Sequence, residues 1–401
     1  MLSVVLIAIA VGAMAVLAFS KWTARSEGWR ATSTPLASIM GSGFLISAPL
    51  LAHAVGVWAI ACMGGLLVIA FLVGGAVRYN IRRFEPIEHR RGPAQSLAFL
   101  SRLVLASAYF ISITYYLQLL AAFVVGPLGL TGHSTPNIIT TALLLLIGCV
   151  GMLKGLKRLE MVERYTVALN LGVIVALLVG LVIFNAGLVF GGEWSLPEVD
   201  SGVDWHDARV LLGLLIVVQG FETSRYLGDE HSADLRVKTM LLAQLVSGVV
   251  YLAFIGLATV LFTPDSSADV TAIIKMIGPV AAVLPAMVAV AAVASQFSAA
   301  VADDAGAGGL IEDISNRRIG ARAAYGIALA VTLVLTWVTD VNEIISYASR
   351  AFALYYAMQC ATAAMVAWRR TDDRGRHARA GWFALLAAVC MAVVVLGLPA
   401  E

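Results

Sequence analysis

The chain has 401 residues, of which 60% are apolar and only 13% charged, and its mean hydropathy is +0.89. Soluble domains carry roughly 25% charged and about 45–50% apolar residues, so an ordinary soluble globule is excluded. The net charge of +2 is sorted along the chain rather than gathered into a patch, and no nucleic-acid partner is expected.

The apolar residues fall in blocks of about 20, the length that spans a ~30 Å hydrocarbon core. Polar punctuation predicts an all-α integral membrane bundle with twelve spans, at 2–19, 33–52, 55–77, 96–126, 137–153, 163–190, 208–226, 239–262, 271–301, 321–338, 341–367 and 381–399. The first starts directly with an apolar run and is followed by Lys21, Arg25 and Arg30. That order suits a retained helix with its N-terminus outside, not a cleaved secretory signal. With alternating spans, the loops on the cytoplasmic side and their flanks hold every one of the 27 Lys and Arg residues except Arg209, Lys275 and Arg350. Cations stay inside during insertion, which supports this topology in the cell (inner) membrane with both termini outside. The outer loop 191–207 carries Glu193, Glu198, Asp200, Asp204 and Asp207 instead. Cys62, Cys149, Cys360 and Cys390 lie in apolar blocks without CxxC spacing and read as small packing residues.

Without the first and last helices, ten spans remain in two sets of five. The expected organisation is an extra helix and linker over 1–30, a first repeat over 31–190, an extracellular loop over 191–207, a second repeat over 208–370, and a linker with a C-terminal helix over 371–401. An odd number of spans per set inverts the second relative to the first, a layout of secondary transporters. Each set opens on a glycine-interrupted helix. In the first, Ile39-Met40-Gly41-Ser42-Gly43-Phe44 weakens the helix at mid-membrane depth. Freed backbone groups there must face protein or a water-filled cavity. A new helix N-terminus near Ser42 and Gly43 favours an anion, and the carbonyls of Ile39 and Met40 favour a cation. In the second, Gln219-Gly220-Phe221-Glu222-Thr223 holds a carboxylate inside a span. Glu222 reads as a proton-coupling group or as a structural partner of Arg225 or of another helix.

These motifs resemble the amino acid–polyamine–organocation (APC) superfamily of transporters. Gly41-Ser42-Gly43-Phe44 is similar to that family's GSGI-like motif, with Phe44 for the common isoleucine. Gly220-Phe221-Glu222, followed by Gly228-Asp229-Glu230-His231, resembles its GFE-like motif and acidic stretch. The resemblance extends over roughly residues 33–370. It implies a leucine-transporter-like inverted-repeat core with discontinuous first and sixth core helices, carrying a small organic solute by alternating access. It also points to Ser295 and Ser298 of the eighth core helix as ligands for a coupling Na+. Residues 165–190 hold no Lys or Arg, so the lysine that replaces sodium in some proton-coupled relatives has no counterpart there.

Other residues follow from helical spacing. Tyr109, Ser112 and Tyr116 share a face of the third core helix and are candidate cavity walls, or packing residues. Arg350 lies roughly nine residues inside the tenth core helix, about 14 Å deep. It needs Glu222, a carbonyl or an anionic substrate as partner, and with Glu343 and Tyr347 on its face reads as an outer gate or substrate contact, or as half of a structural ion pair. Asp303 and Asp304 are expected to end the eighth core helix before a flexible Gly306-Ala307-Gly308-Gly309 loop. No metal-ligand pair or nucleophile–base set is present in the pattern, so neither enzyme activity nor a cofactor is expected beyond a coupling Na+ or H+. The expected function is ion-coupled transport of an amino acid or related amine; an ion transporter or channel, or a non-transporting receptor, are the other classes. Oligomeric state is open. In a cysteine-free background, Glu198→Cys should label from outside intact cells and Arg374→Cys only after permeabilisation; the reverse pattern would overturn the orientation.

Overall fold

The computed structural model describes residues 1–128, 134–199, 201–228, 230–264, 268–371 and 374–400. Asp200 and Asp229 lie outside the described residues, as do the side chains of Ser42, Lys154, Lys157 and Arg158. Helices and their connections account for the described residues, with no strand among them.

Helix α1 (Leu2–Phe19) and the short α2 (Lys21–Arg25) precede the first half. That half comprises α3 (Glu27–Ser42), α4 (Phe44–Val55), α5 (Ala59–Arg83), α6 (Pro93–Leu128), α7 (Thr135–Lys154) and α8 (Lys157–Gly191). The second half opens with α9 (Trp205–Gly213) and two 3-10 turns, Leu215–Val218 and Phe221–Tyr226. It continues through α10 (Ala233–Ala258), α11 (Ala272–Met276), α12 (Leu284–Ile314), α13 (Ala321–Val338) and α14 (Val341–Arg369). α15 (Arg376–Leu396) closes the chain. Among the described residues, 10 stretches are long and apolar enough to cross a membrane. One of them, Glu27–Arg83, contains both the broken α3–α4 pair and α5, while the interrupted segment from α9 to Tyr226 falls short of an unbroken span. The all-α bundle with two interrupted helices is the expected one.

Caps set several helix starts. The Ser26 hydroxyl accepts from the Trp29 amide at 3.1 Å, which starts α3 well before residue 33. Asp204 with Asp207, and Asp340 with Glu343, form capping boxes at α9 and α14. The Asp207 amide holds the exposed Asp204 carboxyl below its ordinary range. Asp340 and Glu343 are thus helix caps.

One span differs from expectation. Instead of running over 271–301, the eighth core helix starts at Leu284 and continues to Ile314. Pro285 sits in its first turn, where no intrahelical amide is needed. Asp303 and Asp304 lie inside the helix, and Gly306–Gly309 is helical rather than a loop. A Cβ added at Gly306 would lie 3.0 Å from the Tyr109 ring, and one at Gly308 only 2.6 Å from the Tyr325 ring. The glycines admit tyrosines from α6 and α13, and this close packing outweighs their poor helix propensity.

The long third helices of the two halves, α6 and α12, pack against each other at the centre. α14 crosses α6, α15 lies on α14, and α1 lies on α8. Outward faces present side chains such as Val4, Phe190 and Val249, as a hydrocarbon surround requires.

The two interrupted helices cross beside this pair. The first break is narrower than expected: α3 and α4 are separated by Gly43 alone (φ −123, ψ −8). The second is wider, with Gln219 extended and Gly220 at φ +113. Each break sits on the other. A Cβ at Gly43 would lie 2.3 Å from Val217 Cα; one at Gly220 would lie 2.5 Å from Ser38 Oγ and 2.7 Å from the Ser38 carbonyl carbon. Gly220→Ala adds both left-handed strain and overpacking, so it should destabilise by roughly 2–4 kcal/mol. Gly309→Ala, whose added Cβ meets nothing within 4 Å, should be neutral or stabilising. Thermal unfolding in detergent separates the two, and equal effects would refute the crossing.

Candidate functional site at the crossing of the broken helices

A broken helix leaves carbonyls and amides without their helical partners, and buried ones must be satisfied elsewhere. Side chains from distant helices do this here. The Tyr251 hydroxyl donates to the Ile39 carbonyl at 3.0 Å and also reaches the Val217 carbonyl. Asn170 donates to the Met40 carbonyl at 3.4 Å, and Gln296 to the Gly41 carbonyl at 3.0 Å. The carbonyls of Ile39 and Met40, expected to await a cation, are therefore engaged by protein donors.

At the second break, Glu222 is 1% exposed. Its Oε2 accepts from the Gly220 amide at 2.9 Å and from the Tyr356 hydroxyl at 2.7 Å. Phe221 stacks on Tyr356 with ring centroids 5.0 Å apart. Gln219 donates to the Tyr116 hydroxyl at 3.1 Å. Arg225 does not pair with Glu222; it donates to Gln359 and lies 5.7 Å over the Phe84 ring. Gln359 also accepts from Asn80 at 3.0 Å and donates to Ser101 at 3.1 Å, joining α5, α6 and α14 beneath the break.

Next to the crossing lies a cavity of about 260 Å³. Among the residues picked out from sequence, Gly41, Tyr109, Tyr116, Thr223, Ser295 and Ser298 line it. Ser112 stands behind the wall, hydrogen-bonded to Asp303. Ser295 Oγ reaches the Gly41 carbonyl at 3.4 Å. Phe44 does not line the cavity: it is buried against Tyr251 and Phe254, with centroids 5.2 and 4.5 Å away. Ile39, Met40, Gly43, Gln219, Gly220, Phe221 and Glu222 shape the crossing without lining the cavity.

The cavity also takes in Ser38, which opens the glycine-interrupted motif, Asp303, which was expected at a helix end, and Asn170 and Tyr226, which sequence spacing passed over. A signal for Asp303 was present. Once α12 is continuous, Ser295, Ser298, Ala302 and Asp303 recur near helical spacing and share the face turned to the cavity. Chemically the cavity offers hydroxyls, an amide, tyrosine rings and one carboxylate. No Lys or Arg lines it among the described residues. Nor do those residues contain a group of three or more His, Cys, Asp or Glu able to hold a metal.

Arg350 lies elsewhere. Its Nε donates to the Val394 carbonyl at 2.7 Å, and Arg209 Nε donates to the Leu396 carbonyl at 3.0 Å. Two cations thus satisfy carbonyls at the C-terminal end of α15, where the helix dipole favours positive charge. The expected outer gate of Glu343, Tyr347 and Arg350 dissolves: Glu343 caps α14 and Tyr347 is exposed.

A second cavity of about 500 Å³ adjoins the first, and Tyr226 lines both. Arg102 bridges Glu88 at 2.9 Å and Asp313 at 2.6 Å, and Arg236 meets Glu85 at 2.7 Å. These ion pairs tie together the loop after α5, α6, α10 and α12.

A sequence model described as APC superfamily transporter matches residues 21–397, leaving α1 outside the match. A protein of Aquifex aeolicus (strain VF5), named only as uncharacterized, is 41% identical over 391 residues, covering 95% of this chain and 94% of its own. Among solved structures, Mhp1 is similar at a TM-score of 0.51 and 14% identity, over 92% of this chain and 93% of that one. That structure is described as a nucleobase-cation-symport-1 family transporter in a closed conformation with bromovinylhydantoin bound. The likeness is one of fold.

The geometry separates two substitutions. Tyr251→Phe strips the donor from two carbonyls at the crossing and should cost about 1–3 kcal/mol of stability while weakening ligand binding. Arg350→Gln should lower stability modestly and leave ligand affinity unchanged. Thermal unfolding with and without ligand reads both, and an affinity loss in Arg350→Gln would return that residue to the site.

Proposed function

The chain belongs to the APC superfamily of transporters, and on that premise we propose that it is a secondary active transporter of a small organic solute, an amino acid or related amine, driven by a Na+ or H+ gradient. The observation that carries this reading is the cavity at the crossing of the two broken helices. In inverted-repeat transporters the solute sits between such helices near the bilayer midplane, and one half rocks against the other. A small organic molecule bound to the similarly folded Mhp1 supports a solute of that kind.

The cavity wall comes from the second half of α3, the middle of α6, the first half of α8, the 221–226 turn and the far half of α12. α3 leads from the basic Arg25 and Arg30 to the break, and α8 and α12 are bordered by basic residues at the same end, so the conformation is read as facing the cytoplasm. Outward exposure would then require the region around Phe44, Tyr251 and Phe254 to open. The pairs Arg102–Glu88, Arg102–Asp313 and Arg236–Glu85, formed here, tie the loop after α5 to α6, α10 and α12 around the adjoining cavity. The proposed coupling ion, if Na+, binds near Ser295, Ser298 and the Gly41 carbonyl; if H+, the carboxylates Glu222 and Asp303 carry it.

Purified protein in proteoliposomes tests the proposal. Uptake of labelled amines or amino acids should follow an imposed Na+ or pH gradient and collapse when an ionophore dissipates it. Ser295→Ala should raise the Na+ concentration for half-maximal uptake roughly tenfold, about 1.4 kcal/mol, under Na+ coupling and leave it unchanged under H+ coupling. Solute binding without gradient-driven uptake would overturn transport in favour of a receptor.

A further inference from the structure

We propose that Asp303 is the recognition carboxylate of the cavity, and that the solute it selects is a protonated amine in preference to the amino acid with the same side chain. The inference rests on the cavity being the solute site. It narrows the solute to a net cation.

Position comes first. Asp303 lies on α12, one turn beyond Ser298 and Ala299, which also line the cavity. Small residues on that face leave open space in front of the carboxylate. Ser112 of α6 hydrogen-bonds to Asp303 Oδ2 from behind and fixes its direction. Gly306, on the next turn, makes room for the Tyr109 ring beside it.

Charge comes second. Among the described residues Asp303 has no ion-pair partner: the five salt bridges there are made by Glu27, Glu85, Glu88, Asp234 and Asp313. A carboxylate in a low-dielectric cavity is costly unless a cation joins it. Tyr109, Tyr116 and Tyr226 line the same cavity, and aromatic faces attract an ammonium group. Alanines and Leu171 in the wall suit an apolar body. Among the described residues no set of three or more candidate metal ligands accompanies the carboxylate, which favours an organic cation over a metal ion.

What is missing completes the argument. The carboxylate of an amino acid needs donors of its own, and those that a broken helix would supply are already engaged or hidden. The Gly220 amide is bound by Glu222. The start of α4 is buried behind Phe44, which is 1% exposed, and does not line the cavity. No Lys or Arg lines the cavity among the described residues. A second negative charge beside Asp303 would be repelled and left unpaired, a penalty that discriminates against zwitterions.

Decarboxylation pairs isolate that difference, because each amine is its amino acid without the carboxylate. The probes are leucine and 3-methylbutylamine, tyrosine and tyramine, arginine and agmatine, and ornithine and putrescine. Binding is read by thermal stabilisation of purified full-length protein, with and without Na+, and uptake is read in proteoliposomes. The expected result is at least one amine that binds tenfold or more tighter than its parent amino acid. Asp303→Asn should abolish that preference, Asp303→Glu should retain part of it, and Ser112→Ala, which keeps the carboxylate, should lower amine affinity several-fold. Size-exclusion profiles and unliganded melting points identify any variant that fails to fold, in which case Ser112→Ala and Asp303→Glu carry the test. Tighter binding of the amino acids, an amine preference unchanged in Asp303→Asn, or no amine binding would each overturn the inference. Asp303-dependent amine binding without gradient-driven uptake would overturn transport alone. Gradient-driven uptake confined to the amino acids would overturn this inference alone.

Discussion

Two backbones meet at van der Waals contact in the middle of the bundle, and the rest of the site follows from that approach. Gly43 lies against Val217, and Gly220 lies against Ser38 and Ile39. Neither position has room for a side chain. The approach in turn exposes backbone groups that lipid cannot satisfy, so other helices must send polar side chains inward. Tyr251, Asn170, Gln296, Ser349 and Glu222 all serve this need. These buried polar residues are therefore a consequence of the crossing before they are anything else; Asn170 also faces the cavity, and most of the polar groups beside it there are left over.

The leftover set is small and lopsided. Hydroxyls and tyrosine rings surround one carboxylate, while Arg102, Arg225 and Arg236, which line the adjoining cavity, pair with Glu85, Glu88, Asp313 or Gln359. Tyr226, whose hydroxyl lies 3.0 Å from that of Tyr355, stands where the two cavities adjoin. The inner cavity and the ion-paired one are thus neighbours with different chemistry, one suited to a ligand and the other to holding helices together.

Much of this architecture is legible in the sequence because lipid imposes simple rules. Span lengths, the basic loops and the glycine interruptions each leave a local mark, and the facing residues Tyr109 and Tyr116 follow from helical spacing. Asp303 was placed at a helix end because a glycine run follows it; only tyrosines from two other helices make those glycines helical. Arg350 misled for the opposite reason. Its partner is a backbone carbonyl of α15, one of the three kinds that its position allowed, and carbonyls carry no sequence signature. The extent of the first break was overstated as well. Gly-Ser-Gly permits unwinding without requiring it, and here one residue suffices because Val217 needs only one gap.

The Tyr251 hydroxyl reaches the carbonyls of both interrupted helices, Ile39 on one and Val217 on the other, yet it has a single hydrogen to give. The two acceptors compete for it. When the helices separate, the proton need not be surrendered to an empty space: it swings to whichever carbonyl stays, and the loss is one weak contact rather than a stranded donor. Tyr251 thereby acts as a rotor with two stops, a point where the structure can yield at small cost.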